Sequence, residues 1–291
     1  MKFWQSVAFT APHQLVEIAR GAEAAGFEGV LLSEHLFVPD AYAAHYPYSE
    51  SGTPDFDAQS PFPDPWVTMT AMAAATSRLR FATMVYILPL RHPLEVAKLV
   101  GTASIFSDGR AVLGAGAGWM REEFEVLGVD FATRGKRFDE CIEILRQIWR
   151  GGMSEYHGEI FSFDRLQMSP APPHPIPIYI GGASKPALRR AARLGDGWLG
   201  AGNTPEQAEK ILVELRRLRE EVGRIEEPFD AIVPLVTPLE LDTLRRLSDL
   251  GATGSVSYPF GYTAGPDATL EQKLDVMQDF GERVIRPMQR C

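Results

Sequence analysis

A short apolar run followed by an amphipathic segment recurs about eight times along the chain, and this repeat constrains the fold more than any other feature. Residues 3–9, 29–33 and 176–180 are examples of the runs, and each precedes apolar residues at helical spacing. The runs are continuously apolar, which indicates parallel strands buried on both faces. Eight such units close most economically as a barrel. We therefore predict an α/β fold, a (β/α)8 TIM barrel, with residues 1–291 as one domain.

Several boundaries of the predicted elements can be read from the chain. Gly26 is expected to end the first helix, and residues 79–87 are expected to form the third strand in one piece. Three later helices are predicted to begin with capping boxes, formed by Thr204 with Gln207, Thr237 with Glu240, and Thr269 with Gln272.

The composition excludes several classes of protein. Lys and Arg together number 29 and Asp and Glu 38, for a net charge of −9, so neither nucleic acid nor an anionic membrane is expected as a partner. No apolar stretch reaches the roughly 18 to 20 residues of a membrane helix, and the first residues lack the apolar core of a signal peptide. Because only Cys141 and Cys291 are present, no disulfide framework is expected, and we predict a cytoplasmic protein.

Two long segments interrupt the repeat, each on the carboxyl side of a predicted strand. Residues 37–63, rich in Tyr, Phe, Pro and Asp, follow the second strand, and residues 117–134 follow the fourth. Loops of this length are typical of lids or binding loops, and barrel enzymes hold their sites at this end. We therefore expect a pocket here, with Tyr42 and Tyr46 in its aromatic lining. Residues 153–169 are predicted to form a hairpin.

His35 ends the second predicted strand, in the sequence Ser33-Glu34-His35. A single histidine is often structural, but the carboxyl end of a barrel strand is where a catalytic group is expected. The six histidines include no His-Glu-x-x-His pattern and no close group with cysteine, so no metal site is predicted.

A glycine-rich segment, GAGAGW at residues 114–119, nearly matches the dinucleotide-binding fingerprint. Its sixth position is Trp119 rather than glycine, and residues 120–123 do not begin the apolar helix that the fingerprint requires. The glycines are better explained as bare backbone that lets a flat ligand approach the top of the fourth strand.

Gly181, Gly182 and Ser184 lie between a predicted strand and a predicted helix. Two glycines let backbone amides point at one spot, and a helix start adds partial positive charge, so the segment suits a phosphate group. A tight turn with Ser184 as an ordinary N-cap explains the same residues. The chain shows no nucleophile elbow, Cys-His pair or Lys-Thr phosphate loop, so we expect an organic cofactor to supply the chemistry.

On these residues the chain resembles the bacterial luciferase-like superfamily and, within it, the oxidoreductases that depend on the deazaflavin coenzyme F420. The resemblance covers nearly the whole chain. It rests on GF at 26–27, SEH at 33–35, RFATMV at 80–85, LGAGAGW at 113–119, RGKRFDE at 134–140, IGGAS at 180–184 and RLGDGW at 193–198.

The resemblance implies a barrel that holds a deazaflavin or flavin ring over the carboxyl ends of its strands. The family's active-site histidine corresponds to His35. The implied cofactor-binding residues are Thr83, Met84, Ala117, Gly118, Gly181, Gly182 and Ser184. The family also has a kink in the third strand, for which we predict a non-proline cis peptide bond between Thr83 and Met84. A homodimer is the expected assembly.

One departure from the family concerns the proton donor. Sugar-phosphate dehydrogenases of this branch have a catalytic glutamate where this chain has Trp119, which we assign to the substrate pocket, and Glu122 and Glu123 follow one turn later as candidate replacements. The resemblance implies hydride transfer between F420 and a small organic substrate. One alternative is a monooxygenase that uses reduced FMN and molecular oxygen. The other is a barrel that binds a cofactor without turnover, which the missing glutamate favours.

Overall fold

The computed structural model of the protein describes residues 1–41, 45–49 and 51–289. All of its strands except β6 and β7 belong to one parallel sheet. The strands are β1 (Lys2–Ser6), β2 (Gly29–Leu32), β3 (Arg80–Thr83), β4 (Tyr86–Ile87), β5 (Ala111–Gly116), β6 (Met153–His157), β7 (Ser162–Gln167), β8 (Ile178–Gly181), β9 (Gly197–Leu199), β10 (Asp230–Val233) and β11 (Gly254–Ser257).

The parallel sheet closes into a ring. Its strands neighbour one another in the order β3, β2, β1, β11, β10, β9, β8, β5 and β4, and β3 also pairs with β5. In this closing pair Phe81 lies opposite Ala111 and Ala82 lies opposite Val112. The ring has eight positions because β4 continues the position of β3 along β5. The predicted (β/α)8 barrel is confirmed.

Helices cover the outside of the ring, and their apolar faces pack on the outward side chains of the strands. Each large apolar side chain buried in this layer contributes about 1.5–3 kcal/mol. The helices are α1 (Leu15–Ala25), α2 (Pro65–Ala73), α3 (Pro93–Phe106), α4 (Arg121–Val126), α5 (Arg134–Trp149), α6 (Lys185–Leu194), α7 (Pro205–Glu221), α8 (Leu241–Asp249), α9 (Phe260–Thr263), α10 (Leu270–Phe280) and α11 (Arg286–Gln289).

The interior of the ring is a packed core, as is usual for barrels of this kind. Each of the eight ring positions contributes one buried side chain to it: Trp4, Leu31, Ala82, Val112, Tyr179, Leu199, Ile232 and Val256. Because side chains alternate along a strand, residues two positions further on, such as Ser6, Ser33 and Met84, face the carboxyl mouth. The candidate site therefore lies directly above a layer of packed side chains that closes the barrel interior.

The third strand is interrupted, so the prediction of one piece over residues 79–87 is wrong. β3 ends at Thr83, β4 begins at Tyr86, and a non-proline cis peptide bond joins Met84 to Val85. The predicted cis bond between Thr83 and Met84 is therefore misplaced by one residue. The Met84 N–H still donates to the Leu32 carbonyl at 2.7 Å as the next rung of the parallel ladder, so the chain leaves the strand only after Met84.

Side-chain caps begin five of the described helices, namely α2, α3, α6, α7 and α10. The capping boxes predicted at Thr204 and Thr269 are complete, with both reciprocal hydrogen bonds present. The box predicted at Thr237 is wrong, because the Glu240 N–H donates to the Pro238 carbonyl at 3.0 Å in a turn that precedes α8.

The irregular segments lie where they were expected. The long segment after β2 and the segment after β5 both leave the carboxyl ends of barrel strands, and β6 and β7 form the predicted hairpin, with Met153 opposite Gln167. Within the described part of the chain, no helix combines the length and the apolar character needed to cross a membrane.

Candidate functional site

Four turns at the carboxyl mouth of the barrel carry the predicted site residues. Ser33–His35 follow β2, Met84 and Val85 join β3 to β4, residues 117–120 follow β5, and residues 182–184 follow β8. Because the barrel strands are parallel, these turns share one rim, which is the end where barrel enzymes hold their sites.

His35 is hydrogen-bonded to a buried carboxylate. Its Nδ1 lies 3.3 Å from Oε1 of Glu123, and the Leu36 N–H donates to the same oxygen at 3.0 Å. The Glu123 side chain is only 1% exposed. Its other oxygen, Oε2, accepts no hydrogen bond from any residue that the structure describes. Of the two glutamates that follow Trp119, Glu123 is therefore the one that reaches the histidine.

A second buried carboxylate, Glu34, holds the turn beside His35. Its Oε2 accepts the Ile87 N–H at 3.1 Å and an Arg91 N–H at 3.3 Å, and Arg91 also lies 4.2 Å from the centroid of the Tyr86 ring. Burial raises the pKa of the Glu34 carboxyl, and Arg91 opposes that rise. These contacts tie the residues after β2 to the end of β4 and so help to orient the neighbouring His35. Sequence reasoning missed the pair, although Glu34 lies inside the quoted SEH motif.

Aromatic rings surround the imidazole. The ring centroids of Phe56, Phe62 and Trp119 lie 4.9, 5.3 and 5.9 Å from that of His35. Tyr46 adds a further layer, with its centroid 5.0 Å from that of Trp119. We call these residues and Phe9, whose ring contacts Phe62, the aromatic cluster. Two of the predicted substrate residues, Trp119 and Tyr46, thus lie together beside His35, whereas the third, Tyr42, lies outside the described residues.

The floor of the mouth is built around Val85, which sequence reasoning missed. Its methyl groups occupy the space where a Cβ would stand on Gly116 and on Gly181, so glycine at these two positions makes room for the Val85 side chain. Met84 and Val85 are partly exposed, whereas Thr83 is fully buried and donates its hydroxyl to the Gly114 carbonyl at 2.7 Å. Of the two predicted ring-supporting residues, only Met84 therefore reaches the mouth.

The geometry of the turn after β8 is compatible with both interpretations given above, a phosphate site and a tight turn with Ser184 as the N-cap. Gly182 adopts a φ of 101°, a conformation that favours glycine, and its carbonyl accepts the Trp198 indole N–H at 2.8 Å. The Ser184 side chain caps α6 by accepting the Ala187 N–H at 3.4 Å. Gly181 and Gly182 are half-buried and Ser184 is exposed. The N-cap is thus present, and the turn still presents a helix start to the mouth.

The remaining predicted positions lie on the same rim. Ala117 and Gly118 are half-buried and follow β5 directly, and Gly118 packs between Ile87 of β4 and Phe124 of α4. The long segment after β2 crosses the mouth, because the Tyr48 hydroxyl lies 3.6 Å from where a Cβ would stand on Gly182. Among the described residues, no group of three or more His, Cys, Asp and Glu side chains is placed to hold a metal ion.

This combination of a parallel barrel, a histidine–carboxylate pair and glycine-floored turns agrees with the family expected from the sequence. The chain belongs to the luciferase-like monooxygenase family, whose model matches residues 4–240. Its members are oxidoreductases, and so is this protein.

Individual relatives extend the match over nearly the whole chain. An uncharacterized protein of Mycobacterium tuberculosis is 38% identical over 287 residues, covering 98% of this chain and 99% of its own. An F420-dependent glucose-6-phosphate dehydrogenase of Nakamurella multipartita is 28% identical over 268 residues, covering 90% of this chain and 74% of its own. The fold is shared with a monooxygenase of Streptomyces bottropensis, at a TM-score of 0.76, 21% identity and 99% coverage of both chains. The predicted resemblance to the F420-dependent branch is confirmed.

Proposed function

We propose that the protein is an F420-dependent oxidoreductase in which hydride passes between the deazaflavin and a small organic substrate beside His35. The observation that carries the proposal is the pairing of His35 with Glu123, 3.3 Å apart, at the edge of a glycine-lined floor. A base oriented by a buried carboxylate is the arrangement that a proton transfer coupled to hydride transfer requires.

The residues of the mouth fit a flat ring with a phosphate-bearing tail. Met84 and Val85 are partly exposed on the floor and would support one face of the ring, with Ala117 and Gly118 beside it. Gly181, Gly182 and Ser184 at the start of α6 would receive the phosphate, since amides at a helix start attract anions. When bound, the deazaflavin supplies a two-electron hydride carrier.

His35 would hold the proton that the reaction releases or consumes. The Glu123 carboxylate accepts hydrogen bonds, so its contact with Nδ1 places the imidazole proton on Nδ1 and leaves the lone pair of Nε2 for the substrate. The Leu36 N–H donates to the same carboxylate oxygen and so helps to hold it in place beside the ring. The surrounding aromatic rings limit the access of water to the pair.

The second candidate is a monooxygenase that uses reduced FMN and molecular oxygen. The name of the matching family favours it, and so does Trp119, which replaces the glutamate of the sugar-phosphate dehydrogenases. The two candidates differ in one measurable respect, since a dehydrogenase transfers hydride without oxygen and a monooxygenase consumes oxygen in proportion to substrate. The contact between Glu123 and His35 weighs against the non-catalytic barrel, because it offers the histidine a carboxylate although position 119 is Trp.

The test is a titration of the purified protein with F420 and, separately, with FMN, followed by cofactor absorbance and fluorescence. We expect saturable binding of F420 with a lower Kd than that of FMN, and turnover without oxygen uptake. Tighter binding of FMN together with oxygen consumption would assign the protein to the monooxygenases instead.

A variant of the phosphate turn tests where the cofactor lies. Gly182→Val is expected to raise the Kd for F420 by about tenfold or more, because it removes part of a charge-assisted anion site worth roughly 1.5–3 kcal/mol. Gly251→Val is the matched control, since Gly251 has a φ of 103° with no atom within 4 Å of its added Cβ, and it lies after α8 at the opposite end of the barrel. Equal Kd values for the two variants would remove the turn after β8 from the site.

A further inference from the structure

The loops around the mouth are poor in positive charge. Residues 36–63, which follow β2 and His35 in the sequence, contain four acidic residues and no Lys or Arg. The loops after β1, β9, β10 and β11, at residues 7–14, 200–204, 234–240 and 258–269, also contain no Lys or Arg. An anion that enters the mouth from these sides therefore meets no complementary charge.

The cations at this end of the barrel lie elsewhere. Arg91 is paired with Glu34. Arg121 and Arg134 both lie over the Phe131 ring, 4.5 and 3.8 Å from its centroid. Lys185 begins α6 beside the phosphate turn, where it suits the cofactor rather than the substrate.

The surface that faces the substrate side of His35 is apolar. The rings of Phe56, Phe62 and Trp119 are its neighbours, and the His35 side chain is only 9% exposed. Burial, together with Tyr48 and Asp55, raises the pKa of Tyr46 to about 12, so this hydroxyl stays neutral at physiological pH.

We propose that the substrate of this site is uncharged and apolar at its reacting end, a small aromatic or aliphatic alcohol or its carbonyl partner, and not a phosphate ester. The inference rests on the proposed function and deepens it. An anion placed among these rings would lose hydration without gaining a partner and would be repelled by Asp40, Asp55 and Asp57 at the rim. An apolar ring would instead gain edge-to-face contacts worth about 0.5–1.5 kcal/mol each. The chain would thus differ from its relative named for glucose 6-phosphate.

The experiment compares benzyl alcohol with benzoate, which have the same ring and differ in charge, and includes glucose 6-phosphate. Binding to the protein without cofactor is followed by calorimetry, and turnover is followed by F420 absorbance. We expect benzyl alcohol to bind about tenfold more tightly than benzoate at low salt, and added salt to improve the binding of benzoate alone, because it screens the acidic rim. Only the neutral probe is expected to support turnover.

Two charge variants sharpen the comparison. Phe62→Arg places a cation beside His35 and is expected to reduce or reverse the preference for binding benzyl alcohol over benzoate. Phe106→Arg is the matched control, because Phe106 is 69% exposed and ends α3 at the opposite end of the barrel. Asp57→Asn removes one rim charge from an exposed side chain without disturbing the core, and it should strengthen benzoate binding by about twofold at low salt.

The outcomes separate this inference from the proposed function. Equal or tighter binding of benzoate or glucose 6-phosphate by the unmodified protein, or no saturable binding of benzyl alcohol, overturns the uncharged substrate. Failure to bind F420 overturns the proposed cofactor. The ratio of the Kd values for benzoate and benzyl alcohol is measured without cofactor, so it remains an independent test of the uncharged substrate.

Discussion

Each end of the barrel holds a carboxylate, half-buried at the amino end and buried at the carboxyl mouth, and the two differ in their hydrogen bonds. At the amino end, Asp230 accepts hydrogen bonds from Lys2 Nζ at 2.9 Å, from Thr253 Oγ1 at 2.9 Å and from the Tyr179 hydroxyl. At the carboxyl mouth, Glu123 uses one oxygen for His35 and Leu36, and its other oxygen accepts no hydrogen bond from the part of the chain that the structure describes.

From this difference we infer that the amino end stabilises the barrel and that the carboxyl mouth is the end available for chemistry. Asp230 joins three strands and the start of a fourth through donors that satisfy both of its oxygens, so its charge contributes to folding. An unsatisfied buried oxygen, as in Glu123, costs stability, and such groups in native proteins call for a functional explanation. The proposed role of His35 supplies that explanation.

Loss of the imidazole is expected to have the largest effect. His35→Ala should lower kcat by about 10²- to 10⁴-fold, the usual contribution of general acid–base assistance. F420 binding should change far less, because the proposed phosphate and ring contacts are made by other residues. Turnover is measured with whichever of the substrate probes named above gives the highest rate. A melting curve of the variant is recorded in parallel. His174→Ala, which replaces an exposed histidine, is the control variant. Full activity of a folded His35→Ala protein would reduce His35 to a structural residue.

The sequence predicts most of the fold and part of the site, for physical reasons. Eight continuous apolar runs with helical segments between them leave few closed arrangements, and His35 follows a strand end that periodicity alone locates. The cis bond near Met84 was predicted one residue too early, because the last hydrogen bond between two strands depends on the partner strand. Here the partner is the Leu32 carbonyl, and the periodicity of the sequence does not reveal it. Val85 was missed for the same reason, since its role comes from contacts with Gly116 and Gly181 on two other strands.

The choice between Glu122 and Glu123 was within reach of the sequence. Met120, directly before the short helix α4, and Phe124 within it are fully buried, and Glu123 lies three residues after Met120 on the same inward face. What the sequence does not contain is the distance to His35, because 88 residues separate the two along the chain.

The next prediction tests this carboxylate directly. Glu123→Gln keeps the size of the side chain but removes its charge, and we expect kcat to fall by about 10²-fold, toward the lower end of the acid–base range, with little change in melting temperature. The imidazole should lose its preference for a proton on Nδ1, which ¹⁵N NMR of the ring reports independently of activity. Glu122→Gln is the control, and a larger loss in that variant would transfer the role to Glu122.

The smallest expected effect lies at the opposite end of the barrel and concerns stability rather than rate. Burial acts to raise the pKa of Asp230, but hydrogen bonds from Tyr179, Lys2 and Thr253 outweigh it and hold the pKa below the ordinary value of 3.8. The folded protein therefore binds fewer protons than the unfolded chain between these two values. The stabilisation by Asp230 is present above the ordinary pKa and is lost as the pH falls through the folded-state value.

Asp230→Asn should accordingly lower the free energy of unfolding by about 1.5 kcal/mol at pH 7, the lower end for hydrogen bonds to a charged group. The difference in unfolding free energy from the unmodified protein should begin to shrink as the pH falls below the ordinary value of 3.8. It should vanish once the pH lies below the folded-state pKa, because Asp230 is then neutral in both states. Urea unfolding at a series of pH values measures this difference, and Asp249→Asn, at an exposed carboxylate of α8, controls for the change in net charge. kcat should not change, since the substitution lies at the end of the barrel away from His35. If the difference in unfolding free energy stays constant with pH, the hydrogen bonds and not the charge of Asp230 stabilise this end. A fall in kcat would show that the two ends of the barrel are coupled.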